Sequence, residues 1–143
     1  MCAFSRVLPS LLMLIGAAQA SEPRNIELQN WRVSLPEGAQ VLLASRSSAR
    51  IVYVSDKSGN YTLVAKDAPP QSIRSIENRI QELKGESGTL KRKGLKKSGS
   101  LFMFASPGAI HWYSTTGGHL VLAADPIRIR ALFGEFESRV ESR

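Results

Sequence analysis

The chain has 143 residues, with 19 Lys and Arg against 12 Asp and Glu for a net charge of +7, 43% hydrophobic residues and one cysteine, Cys2. That length suits one ordinary domain with a hydrophobic core of its own. A single thiol excludes an internal disulfide and a multi-thiolate metal site, and the basic excess favours anionic partners.

Residues 1–20 have the three-part form of a cleavable secretory signal. Arg6 charges the short start, an apolar core runs from Val7 to Ala17, and Ala18-Gln19-Ala20 offers a peptidase the small-x-small pattern. The core is shorter than the roughly 20 apolar residues that span a bilayer. Removal of this segment predicts one exported domain over 21–143, in the periplasm or secreted, with no transmembrane segment. Cys2 and Arg6 would leave with the segment, so the exported domain carries no thiol and stays basic. Cys2 also precedes the apolar core, which excludes it as a lipid-bearing cysteine that follows one.

Residues 21–26 read as a flexible lead-in. Trp31, Val33 and Leu35 alternate with Arg32 and Ser34, the two-residue period of a strand. Pro36-Glu37-Gly38 is a turn, and Ala39 to Ala44 form a second short strand. Ala49 to Ser55 and Tyr61 to Lys66 are β-branched and aromatic runs around the turn formers Asp56 to Asn60, a hairpin. Asp67 as cap and Pro69-Pro70 in the first turn start a helix over about 69–84. Its apolar stripe is Ile73, Ile76, Ile80 and Leu83, and Gly85 ends it. Leu90 to Lys97 is a basic strand. Leu101 to Ala105 is apolar throughout, as in a strand covered on both faces. Ile110 to Ser114 and His119 to Ala124 flank the loop Thr115 to Gly118. Asp125 then caps a last helix over 126–141, with Ile129, Leu132, Phe133, Phe136 and Val140 as its buried stripe.

Strands, helix, strands, helix is an α+β order: a mainly antiparallel sheet on which two amphipathic helices bury their stripes, in one domain. This order over most of 27–141, together with the opening WRVSLPEGAQV, resembles the PsbP-type α/β/α sandwich. DcrB-type periplasmic lipoproteins and some periplasmic immunity proteins share that fold. The chain departs from the lipoprotein members in lacking their lipid-bearing cysteine. The resemblance implies a binding or accessory protein more than an enzyme.

The chemistry-bearing residues point the same way. No serine lies in a G-x-S-x-G elbow, and Gly117-Gly118 joins two strands where a phosphate loop joins a strand to a helix. Asp125 reads as a cap, and Glu135 and Glu137 diverge on one helix. A loop of two or four residues sets odd-numbered residues opposite even ones, which predicts His111 and His119 on opposite faces and no shared metal site. The chain is therefore read as non-catalytic, without cofactor or metal. Its candidate binding residues are Lys91, Arg92, Lys93, Lys96 and Lys97, which form either a contact for a protein or anionic envelope component or a guard against strand aggregation. Nucleic acid is disfavoured, since 84–100 holds no aromatic residue for base stacking. Ser58, Gly59 and Tyr61 are similar to the Ser-Gly-x-Tyr loop of periplasmic inhibitors of invertebrate-type lysozymes, which implies a plug for an enzyme's active site. The expected function is a small exported binding or accessory protein that recognises another macromolecule. The alternatives are an inhibitor or immunity protein that blocks a secreted toxin or lysozyme, and a small envelope enzyme.

Overall fold

A computed structural model describes residues 24–46, 49–57, 59–84, 90–94 and 99–142; for 45, 46, 83, 84 and 90–94 it describes the backbone. The elements are β1 (Arg24–Leu28), β2 (Trp31–Leu35), β3 (Gln40–Arg46), β4 (Ala49–Asp56), β5 (Gly59–Lys66), α1 (Ile73–Lys84), β6 (Leu90–Gly94), β7 (Ser100–Ser106), β8 (Ala109–Ser114), β9 (His119–Ala123), a 3-10 turn (Pro126–Arg128), α2 (Ile129–Phe136) and β10 (Val140–Ser142). A seven-stranded sheet runs β3-β4-β5-β9-β8-β7-β6, and a three-stranded sheet runs β10-β2-β1. All pairings are antiparallel. The fold is α+β.

Side-chain alternation divides the large sheet into two faces, each with its own core. Leu101, Met103, Ile110, Trp112, Leu120 and Leu122 face the small sheet and α2, where Trp31, Val33, Leu35, Leu132 and Phe136 complete the main core. Phe102, Phe104 and Tyr113 point the other way, to Ile76 and Ile80 of α1. The helices therefore lie on opposite faces, and the apolar strand Leu101 to Ala105 is covered on both sides, as its composition predicts.

Several boundaries differ from the sequence reading. Residues Arg24–Leu28 form a strand that takes in 24–26 of the expected 21–26 lead-in, because Ile26 and Leu28 pair with Val33 and Trp31. Helix α1 starts at Ile73. Its cap is Ser72, whose hydroxyl accepts from the Ser75 amide at 3.1 Å, while Asp67 and the two prolines remain outside. Ile73 is consequently exposed, and Ile76 and Ile80 carry the burial. The last helix stops at Phe136. Val140 belongs to β10 and pairs with Val33, since Arg139 turns the chain by donating its amide to the Phe136 carbonyl at 3.1 Å. Val140 is buried all the same, now through a strand. Asp125 does cap the 3-10 turn, accepting from the Ile127 amide at 3.0 Å.

Candidate functional site

Helix α1 covers only one end of its face. The registers set three rows of side chains across that face, about 4.8 Å apart from strand to strand. One row is Leu42, Tyr53, Thr62 and Ala123. The next is Ala44, Ile51, Val64, Val121, His111 and Phe104. The third is Ala49, Lys66, His119, Tyr113 and Phe102. Ile76 and Ile80 close over the Phe102, Phe104 and Tyr113 end. At the β3 end Leu42 is 66% exposed and Tyr53 is 48% exposed. There a groove of about 440 Å³ opens between Gln40, Leu42, Tyr53, Ser55, Asn60 and Thr62.

Between the open and covered parts lies a stack of rings. Tyr113 stacks on His119 at 4.1 Å, His119 on His111 at 5.4 Å and His111 on Phe104 at 4.7 Å, all within 15° of parallel. His111 Nδ1 and His119 Nε2 are 3.1 Å apart, one ring donating its N–H to the other. The histidines thus share a face, contrary to the prediction from loop length. Pairing of His119 with Tyr113 leaves five residues, Ser114 to Gly118, between the strands; an odd count reverses the parity argument. Gly117 at φ 115° and Gly118 at φ 96° make this loop possible. Neighbouring backbone holds it: Gly118 donates to the Ala68 carbonyl at 3.0 Å and Thr115 to the Ser100 carbonyl at 3.0 Å.

Burial, the adjacent His111 and the cations Lys66 and Arg79 press His119 down to about 3. Burial and Lys66 lower His111 as well. Lys66 sits directly across from His119 on β5. Arg79 comes from α1, paired with Glu82 at 3.8 Å. Two neutral imidazoles beside two cations form a positive, hydrogen-bonding end to a face that is apolar along its middle row and uncharged at its other end. No group of three or more His, Cys, Asp or Glu side chains gathers to hold a metal among the described residues.

The other predicted residues fall elsewhere. Lys91, Arg92 and Lys93 lie in β6, the outermost strand at the far edge, opposite Met103, Phe102 and Leu101 of β7. Lys96 and Lys97 are outside the described residues, as are Ser58 and the N-terminal segment 1–23. Tyr61, read as part of an inhibitory loop, is in the core. It is 3% exposed, meets Phe136 edge-on at 5.4 Å, and its hydroxyl is pushed up by burial and by Asp56. Arg128 lies across the neighbouring hairpin tip at Gly59 and donates to the Asn60 carbonyl at 2.8 Å. A plug needs a protruding tyrosine, and Tyr61 points inward because the two-residue period that buries Leu63 and Ala65 also buries it.

No helix of the described residues is long and apolar enough to cross a membrane. No protein-family model, curated protein or solved structure matches the chain.

Proposed function

We propose that this protein is a non-catalytic binding protein, exported by its N-terminal segment, that holds a protein partner on the uncovered half of its large sheet. The observation that carries the reading is the exposure of Leu42 and Tyr53 in an apolar row that α1 leaves bare. Contiguous exposed apolar surface of this kind is a mark of interaction sites. Charge selects the partner's chemistry. Lys66, with His119 and His111 beside it, lies at one end of the face, and uncharged Gln40, Ser55 and Asn60 lie at the other. A matching partner sets apolar side chains over Tyr53 and Val64 and a carboxylate near Lys66. The Lys91-Arg92-Lys93 strand and the basic excess that remains after the N-terminal segment add a positive field that speeds the encounter with such a partner.

Site-specific photocrosslinking tests this in cells. A photoreactive side chain at Tyr53 should give one discrete protein adduct, and the same group at Glu137, just past the end of α2, should give none. Lys66→Glu should weaken the adduct. Identical adducts from both positions, or none from Tyr53, would refute the assignment. Adducts to lipid or polysaccharide in place of protein would also overturn the protein reading and identify an anionic envelope component.

A further inference from the structure

The two edges of the large sheet are built differently. At one edge β6 has the sequence Leu-Lys-Arg-Lys-Gly, the charged composition that keeps edge strands from pairing. At the other edge β3 reads Gln-Val-Leu-Leu-Ala-Ser-Arg, and it pairs with β4 alone among the described residues. Leu42 and Leu43 project from opposite faces of this strand, 66% and 68% exposed. An edge of seven residues with bare leucines on both faces lacks the usual protection.

We infer that β3 is the interface between two copies of this chain, paired antiparallel about a twofold axis through Leu43. A twofold axis perpendicular to the sheet keeps equivalent faces on the same side, so each residue must oppose one of the same parity. Centring on Leu43 is the register that pairs all seven residues. It sets Leu43 opposite its own copy and Leu42 opposite Ala44. The strand is also self-complementary in charge. Glu37 precedes it and Arg46 ends it, so antiparallel pairing brings the acidic end of one copy to the basic end of the other. The result is one continuous fourteen-stranded sheet, with the two open faces joined on one side. This inference stands on the edge and not on the partner reading above, and mass alone tests it.

The purified protein should sediment as a dimer. Leu43→Lys sets two like charges against each other at the axis and should weaken the dimer at least about 100-fold. Leu43 is largely exposed, so the variant should keep its circular dichroism spectrum. A second variant does not depend on weakening. In a Cys2→Ser background, Leu43→Cys puts two thiols directly opposite, with Cα atoms about 4.5–5.5 Å apart, within disulfide reach. Mild oxidation should link it at least about 10-fold faster than Ile127→Cys, whose side chain is also exposed. A monomer at about 100 μM, or equal linking rates at the two positions, would overturn the inference; a monomer bound to another protein's extended segment at β3 would do so too.

Discussion

His119 should make this fold acid-sensitive. Its surroundings come from three elements: His111 and Tyr113 on β8, Lys66 on β5 and Arg79 on α1. None of the groups that shift it is a carboxylate. Its folded value, near 3, lies well below the 6.5 of an unperturbed histidine. When the folded value is the lower one, the unfolded chain takes up the proton first. The stability is fully present above about pH 6.5 and is lost as the pH falls toward 3. At 1.36 kcal/mol per pH unit, the loss from His119 is about 2 kcal/mol by pH 5.

The assay is urea unfolding at pH 7.5 and pH 5.0 on the protein and on His119→Gln. The glutamine keeps a polar side chain and does not titrate. Everything distant from the site is the same in both proteins, so the difference of differences reports His119 together with its coupling to His111. The unaltered protein should lose about 2 kcal/mol more than the variant across that interval. If the two lose the same to within about 0.5 kcal/mol, His119 is either solvated or protonated in the fold, and the neutral pair is refuted. His111 remains in the variant, and its own lowered value adds to the loss in both.

Two further substitutions test the packing. Phe136→Ala removes a fully buried ring that meets Tyr61 at 5.4 Å and Trp112 at 6.5 Å, and it should cost about 3–5 kcal/mol in urea unfolding; a loss below about 1 kcal/mol would show that the two sheets do not share this core. Gly117→Ala puts a methyl 2.9 Å from the Ala68 carbonyl at a positive φ and should cost about 1–3 kcal/mol, whereas Gly134→Ala, with open space in α2, should gain about 0.5–1 kcal/mol.

Where the sequence read true, local chemistry was strong. The Asp56 to Asn60 turn and its β-branched flanks specify the β4–β5 hairpin, and Asp125-Pro126 specifies the start of the 3-10 turn and α2. Where it failed, partners distant in the chain decided. Arg24–Leu28 has only Ile26 and Leu28 to signal a strand, and the pairing with β2 supplies the rest. Val140 continues the helical stripe by spacing, yet Val33 recruits it into a sheet. Asp67 and the Pro69-Pro70 pair look like a helix start, but the residue that caps the helix is Ser72.

The open face was hidden for a related reason. Ala39 to Ala44 read as a short strand and no more, because an apolar run does not reveal whether anything packs on it. What packs there depends on the length of α1 and on where Ile76 and Ile80 fall along the sheet. Twelve residues cover a helix length of about 18 Å, less than the width of seven strands, so one helix cannot roof the whole face. The histidine pair turned on a single residue of loop. Five residues between Tyr113 and His119, in place of four, bring both imidazoles to the face that α1 leaves half open. The same choice sets His119 across from Lys66, so the neutral imidazole pair lies beside that cation. Two glycines and a hydrogen bond to the Ala68 carbonyl thus determine which side of the sheet carries the two imidazoles beside Lys66.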